Sequence, residues 1–380
     1  MKAVILCAGK GERMRPLTDY KPKCLLPLAN KPLLDYQIEM LKKVGIDEIG
    51  LVVGYLDSEI REYLKNKNLK VHFYRDDKIR GTASALFSAR NFLDEDFVLV
   101  YGDVFFDGNF SQIVKTRNSI GVVFVEDVSR YGKVIEEGGY LEKVEEKTGK
   151  GSGMINAGIY HLEPNIIDII EDQAPSKRGE YELTDSISEF SKKNPVRVVR
   201  LSGYWKDIGY PWDYLDANLY LLEKIKFSIG ENTTIWNTAI LRKPVIIGDN
   251  CTIKNSVVER SIIGNNCTVG EFSVVKRSII MDNSNVPHFN YVGDSIIAEN
   301  TNLGAGTKIA NLRFDEKNVK MKIKDKIYDT KRRKFGAVIG YNVKTGINVS
   351  IYPGVRIGSD VWIGAEQLIR RNVQNGEKII

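Results

Sequence analysis

The sequence predicts two domains: a Rossmann-like α/β domain over residues 1–225, followed by a left-handed parallel β-helix of hexapeptide repeats over residues 226–380. Three observations carry this expectation. The chain has 380 residues, more than the roughly 250 to 300 at which a single hydrophobic core stops growing. In its first half, short β-branched runs alternate with helical patterns, the mark of a parallel sheet covered by helices. After about residue 229 the period becomes six, with Ile297, Leu303 and Ile309 in step, and again Ile351, Ile357, Ile363 and Ile369. Six is neither helical nor strand-like. It is the repeat of a solenoid whose coils stack aliphatic side chains inward, and the frequent following glycine (Ile263-Gly264, Ile357-Gly358) fits tight corners.

Taken in order, strands are expected at 3–7, 48–53, 70–74, 97–101 and 120–125. Leu33, Leu34, Gln37, Leu41 and Val44 mark one helix face, and Ala85, Leu86, Ala89 and Leu93 another. A helix over 212–226, apolar at Leu215, Leu219, Leu222 and Ile225, joins the halves. The formal charge of +6 arises from 55 basic and 49 acidic residues spread along the chain, so no nucleic-acid surface is implied. Cys7, Cys24, Cys251 and Cys267 show no metal-binding spacing and read as reduced thiols of a cytoplasmic protein. The apolar run 3–8 is too short to span a bilayer, so no membrane segment is expected.

The first strand empties into Ala8-Gly9-Lys10-Gly11-Glu12-Arg13-Met14-Arg15-Pro16-Leu17-Thr18, followed by Lys21-Pro22-Lys23. Its glycines let backbone N–H groups approach an anion, with basic side chains at hand. The third glycine of a dinucleotide fingerprint and the Gly-Lys-Ser/Thr ending of a P-loop are both missing. Further along stand Arg80-Gly81-Thr82, Tyr101-Gly102-Asp103 and Trp205-Lys206-Asp207. An aspartate after a strand is ordinarily a turn residue. Two of them beside such a loop suit Mg²⁺, which takes one or two carboxylates plus phosphate oxygens and water.

These segments resemble the nucleoside-triphosphate sugar-1-phosphate transferases. The resemblance implies that Leu6, Ala8, Gly9, Gly11, Gly81, Thr82 and Asp103 bind the nucleotide. It gives Arg13 and Lys23 the reacting phosphates and Asp103 and Asp207 the Mg²⁺, and it places the sugar phosphate near Gly132, Glu146, Lys147 and Asn156. Glu12 departs from the pattern by replacing a threonine, and an acid there weakens phosphate binding unless it turns away. Thr148 departs by replacing a proline. Structurally, Thr82 would serve as an ordinary N-cap.

In the second half, His288-Phe289-Asn290-Tyr291-Val292-Gly293-Asp294 interrupts the six-residue rhythm, and Asn302-Leu303-Gly304-Ala305-Gly306-Thr307 restores it. A lone histidine is usually structural. These spacings, however, resemble the acetyltransferase domain of bifunctional N-acetylglucosamine-1-phosphate uridylyltransferases. That resemblance implies acetyl-CoA as co-substrate and His288 as general base. It makes Lys276, Tyr291, Asn302, Asn311 and Lys317 substrate-binding, puts a backbone N–H near Ala305 on the oxyanion, and implies a homotrimer. The family's phosphate clamp is not in register, since Val258 stands there, with Arg260 as a substitute. The basic run Lys331-Arg332-Arg333-Lys334 inside an insertion at 320–335 reads as a solvated loop.

The reaction expected is transfer from UTP or dTTP to a sugar 1-phosphate, N-acetylglucosamine or glucose 1-phosphate, together with acetylation of glucosamine or galactosamine 1-phosphate. Two rivals stand beside it: a single-activity thymidylyl-, uridylyl- or guanylyltransferase whose β-helix only assembles the oligomer, and a non-catalytic regulatory subunit.

Overall fold

The computed structural model describes residues 1–65, 67, 69–78, 80–147, 149–176 and 179–380. The chain divides into two compact units: Met1–Lys10, Pro22–Leu25 and Leu33–Asp207 form one, and Gly11–Lys21, Leu26–Pro32 and Ile208–Ile380 the other. The helix Pro211–Ile225, which sequence position alone assigns to the first domain, belongs to the second unit. There its buried Leu222 packs with Ile246 and Ile262.

The first unit is built on a nine-stranded sheet. Lys2–Leu6 lies between Ile49–Val53 and Phe97–Tyr101, parallel to both, and Val71–Arg75 extends the parallel part. Ile49–Val53 is buried at every residue, as a strand covered on both faces must be, which explains its unbroken apolar sequence. Beyond Phe97–Tyr101 the sheet turns mixed, because Gly153–Leu162 runs antiparallel to it. The five expected strands all form, each within a residue or so of its expected ends. Chain order reverses at the first strand, whose neighbours lead away on opposite sides. The connections leaving Leu6 and Tyr101 therefore open a crevice at the carboxyl ends of their strands, where such sheets bind ligands.

The second unit is a parallel β-helix of three faces. One face stacks Val245–Ile247, Ile262–Ile263, Ile279–Ile280, Ile296–Ile297, Val338–Ile339 and Arg356–Ile357 in register. Its inward aliphatic residues, from Val245 to Val373, form a single buried column. This is the architecture of a left-handed β-helix of hexapeptide repeats. The early coils pair Ile247 with Ile263 and Ile263 with Ile280, one or two residues short of three full hexapeptides, which hides the period there. Corners need a left-handed backbone, and asparagines, which tolerate it, occupy many of them: Asn232, Asn250, Asn266, Asn283, Asn300, Asn342 and Asn348.

Two expectations change. The stretch around His288 does not break the coil, since Tyr291–Gly293 stacks on Val274–Lys276 in register. Ladder bonds are backbone bonds, so only the side-chain pattern is interrupted. The insertion, given no structure in the sequence, contains a hairpin, Lys320–Ile323 with Lys326–Asp329, while the basic run 331–334 beyond it is the largely exposed loop expected. Within its basic run Arg332 pairs with Asp216 and Arg333 with Glu316, which leaves no open cationic stripe of four.

Candidate active sites

In the first unit, Gly102 follows Tyr101 at the crevice and donates its N–H to Leu6 O at 3.0 Å. A β-carbon on Gly102 would sit 2.4 Å from that oxygen, so only glycine lets the turn close this tightly. The turn delivers Asp103, and Lys23 Nζ lies 2.8 Å from its carboxylate. Asp207 reaches the same turn across the antiparallel pair of Val104–Gly108 and Gly203–Asp207, where it stands opposite Val104, the residue after Asp103. Asp103 thus lies one residue from the cross-strand partner of Asp207, with Lys23 on its carboxylate, and one or two carboxylates are what Mg²⁺ takes beside phosphate oxygens and water. No group of three potential ligands occurs among the described residues, and Mg²⁺ does not need one. On the other flank of the crevice, Gly9 has open space where a β-carbon would stand, as close approach of a ligand to the backbone requires.

A buried polar chain lines the neighbouring strands. Tyr101 and Tyr160 share a hydrogen bond at 3.1 Å, and Asn156 Nδ2 donates to Tyr160 Oη at 2.6 Å. Burial pushes the pKa of both tyrosines up, so they remain hydrogen-bonding hydroxyls at neutral pH. Asn156 Oδ1 also accepts the Gly158 N–H at 2.9 Å, which places the Asn156 side chain at the bulge of its strand. Gly132 faces Glu146, whose carboxylate oxygen lies 2.8 Å from where a β-carbon would stand, and Lys147 adopts a left-handed φ of 54°. Gly132, Glu146 and Asn156 thus lie on neighbouring strands, with Lys147 just past the end of one of them; Thr148 falls outside the described residues. Thr82 is not the cap of its helix. Gly81 holds that position at φ 128°, against the Tyr181 carbonyl, and Thr82 Oγ1 accepts the Leu183 N–H at 2.9 Å, tying two helices together.

In the second unit, Gly11 takes φ 61° and starts a short turn, Glu12–Met14. Arg13 lies 4.7 Å over the Tyr210 ring and donates to Tyr210 Oη at 3.3 Å, while Tyr210 stacks on Trp212 at 4.6 Å. The stack holds the guanidinium plane in one orientation. Glu12 is ion-paired with Lys324, so the departure from the family pattern is drawn into a local pair.

The histidine site is a corner column. The His288 carbonyl accepts the Gly306 N–H at 2.9 Å from the coil above, and the Phe289 N–H donates to Glu271 O at 3.0 Å in the coil below. His288 Nδ1 lies 2.8 Å from Glu271 Oε2, and Glu271 is 3.3 Å from Lys254. Backbone hydrogen bonding, then Lys254 and His288, hold the Glu271 pKa below the usual carboxylate range. Glu271 Oε2 thus stands as an anion beside the His288 ring. Ala305 sits beside Gly306; its carbonyl accepts from Asn348 at 2.8 Å, and among the described residues none accepts its N–H. Phe272 and Phe289, at φ 60° and 56°, follow Glu271 and His288 and stack at 5.2 Å on the surface. Bulky residues rarely adopt that backbone, and strain of this kind collects at functional sites.

The same face groups the other candidates. Glu259, Lys276 and Gly293 stack coil on coil, with Lys276 Nζ 2.6 Å from Glu259. A β-carbon on Gly293 would meet Asn311 Nδ2 at 2.6 Å and Tyr291 Oη at 2.9 Å, so these two side chains converge over that glycine. Asn311 Nδ2 donates to buried Asp294 at 2.5 Å, and Arg277 grips Asp294 through two bonds of 2.7 Å. Asn302 bridges Asn285 and Lys344 and keeps the third face continuous. Lys317 lies on the exposed approach to the hairpin, its backbone N–H donating to Asp315 at 3.3 Å. Val258 points into the core and Arg260 pairs with Glu223, so neither is oriented as a phosphate clamp. Arg242, directly below Glu259 in the stack and 3.2 Å from it, is the basic residue that sequence reasoning missed. Glu271 was missed as His288's partner too, because seventeen residues separate them and only the coil length brings them together.

Together the crevice with its paired aspartates and the coiled second unit define a nucleotidyl-transferring α/β protein with a hexapeptide domain. The nucleotidyl transferase family profile matches residues 2–224, the bacterial transferase hexapeptide profile residues 228–260, and the GMPPB C-terminal domain profile residues 257–330. The chain belongs to the nucleotidyl transferase family. It is 41% identical to the bifunctional protein GlmU of Methanocaldococcus jannaschii over 99% of this chain and 96% of that one. It is 40% identical to the bifunctional sugar-1-phosphate nucleotidylyltransferase/acetyltransferase of Sulfurisphaera tokodaii over 99% of each. A solved UDP-glucose pyrophosphorylase with UDP-glucose overlays 59% of this chain and 98% of its own at a TM-score of 0.53; at 22% identity that likeness speaks for the fold alone.

Proposed function

We propose that this chain is a bifunctional enzyme of nucleotide amino-sugar synthesis. The second domain acetylates glucosamine 1-phosphate, or galactosamine 1-phosphate, from acetyl-CoA. The first transfers the nucleotidyl group of UTP, or dTTP, to N-acetylglucosamine 1-phosphate, or glucose 1-phosphate, and releases pyrophosphate. The observation that carries the double activity is the His288–Glu271 pair at an exposed corner, because a β-helix used only for assembly does not need it. The two full-length relatives named as bifunctional support the same reading.

In nucleotidyl transfer the attacking sugar-phosphate oxygen is already an anion, so no strong base is needed. The work is to align two polyanions and neutralise the charge developing on pyrophosphate. Lys23 and Arg13 supply cations, Gly9 opens the backbone to the phosphates, Gly11 gives the loop its left-handed turn, and Asp103 and Asp207 would hold Mg²⁺. That ion would neutralise phosphate charge and orient the α-phosphoryl group. In acetyl transfer, His288 accepts the proton of the attacking amine, the Glu271 carboxylate beside its ring offsets the imidazolium charge, and the Ala305 N–H receives the carbonyl oxygen as it becomes an oxyanion; the intermediate then collapses with cleavage of the C–S bond, and the departing CoA thiolate takes up the proton from the imidazolium. Lys276, Arg242, Tyr291 and Asn311 line the face for the sugar phosphate. In this account Glu271→Gln lowers acetyl-transfer kcat by about 10-fold. An unchanged rate would leave Glu271 a bystander.

We also place the enzyme in the cytoplasm, as a homotrimer joined through the β-helices. The exposed Phe272, Phe289 and Phe314 support an assembled surface. Light scattering should return three times the 42.9 kDa chain mass, and Phe289→Ser should lower it. A wild-type monomer would contradict the trimer.

A further inference from the structure

The second unit holds a cavity of about 1010 Å³ that neither proposed reaction uses. Arg15, Lys322, Lys324, Arg356 and Arg371 line it, against only two acids, Glu12 and Asp325. Three of the acid–base encounters at its wall are already made: Lys324 pairs with Glu12, Arg371 with Glu377, and Arg15 Nε lies 3.6 Å from Asp19. Lys322 has no ion-pair partner among the described residues. Arg356 is the unusual member. Its Nη1 donates to the Arg15 carbonyl at 2.9 Å, while its Nε is buried with no hydrogen-bond partner. Burial pushes the Arg356 pKa down, only partly offset by Asp19. A guanidinium does not give up its proton at working pH, so the buried donor stays uncompensated until an acceptor reaches it.

The wall is built rather than incidental. Asn372 Oδ1 accepts the Arg356 N–H at 3.0 Å, and Asn372 Nδ2 donates to Lys322 O at 2.8 Å, tying the inserted hairpin to the coil. Asp19 takes bonds from Ser359 at 2.8 Å and Asn375 at 2.9 Å, fixing the opposite side. The volume is at the upper end for a small-molecule pocket, room for a sugar phosphate or nucleotide rather than a single inorganic ion.

We propose that this cavity is a second anion site that binds a phosphorylated small molecule through Arg356, Lys322 and Arg15, and that its occupancy is felt by the loop carrying Arg13. The coupling follows from the wall itself, because Glu12 and Arg15 flank Arg13 in sequence and both line the cavity. A phosphate that draws Lys324 away from Glu12, or Arg356 away from the Arg15 carbonyl, resets that turn. This second half rests on the transferase reading; the binding half does not.

The test is calorimetric titration of the full chain with inorganic tripolyphosphate in the absence of divalent metal. Two sites per chain are expected. Lys23→Ala should remove one, while Arg356→Gln should weaken the other at least 10-fold and Lys322→Gln several-fold, with affinity at that site falling as salt is added. Lys322 is exposed, so its variant decides the matter if Arg356→Gln does not fold. Wild-type affinity and stoichiometry in the folded variants, or a single site abolished by Lys23→Ala, overturns the proposal. A single site that responds to Arg356→Gln and not to Lys23→Ala supports it and counts instead against the transferase centre. For the coupling, saturating UTP removes simple competition. A tripolyphosphate effect on kcat that persists there and vanishes in Arg356→Gln is the expected result, and an unaffected kcat overturns that half.

Discussion

Asp103→Ala and Asp207→Ala should each lower nucleotidyl transfer by roughly 10³-fold while leaving acetyl transfer at its wild-type rate. Removing one oriented electrostatic stabiliser from a reacting centre commonly costs about 10² to 10³ in rate, and here the carboxylate lost is half of a two-carboxylate set. Asp103 is fixed by the Gly102 turn against Leu6 and by Lys23 at 2.8 Å, and Asp207 by its register opposite Val104. Neither side chain belongs to the hydrophobic core, so the variants should keep the wild-type circular dichroism spectrum. Because the loss is one of metal and phosphate orientation, raising Mg²⁺ should recover part of it in Asp103→Asn and less in Asp103→Ala. Transfer at wild-type rate in both alanine variants would remove the paired aspartates from the mechanism.

His288→Ala should lower acetyl-transfer kcat by about 10²-fold or more, with little change in acetyl-CoA affinity and none in pyrophosphate release from UTP. The imidazole acts on the proton of the attacking amine and does not hold the thioester, so the loss falls on kcat. His288 is half exposed, which makes a folding defect an unsuitable explanation for the loss. If the variant loses both activities while still folded, the two centres are not independent.

Much of this was legible in the amino-acid order. The strand 97–101 was readable because five apolar residues end at Gly-Asp, and 49–53 because a doubly covered strand has no polar face to disguise it. The β-helix was readable where its coils run in full hexapeptides, around Ile351 and Ile357, and faint where they shorten around Ile263 and Ile280. What could not be read were pairings set by stacking. Glu271 with His288, Arg242 with Glu259 and Lys276, and Asn372 with Lys322 meet because one coil lies on the next, or because a hairpin folds against it. No local pattern announces these. Thr82 misled for the opposite reason: a threonine at a helix start suits a cap, but the left-handed Gly81 took that position and freed the hydroxyl for Leu183.

The central claim, two activities carried by one chain, is tested most directly by one product analysis. The purified protein is incubated with glucosamine 1-phosphate, acetyl-CoA, UTP and Mg²⁺, and the products are identified by mass. The account predicts free CoA, pyrophosphate and UDP-N-acetylglucosamine together, with N-acetylglucosamine 1-phosphate accumulating when UTP is left out. If no CoA is released from either glucosamine or galactosamine 1-phosphate, while UTP is still consumed with pre-acetylated sugar phosphate, the β-helix is a scaffold and the claim is contradicted.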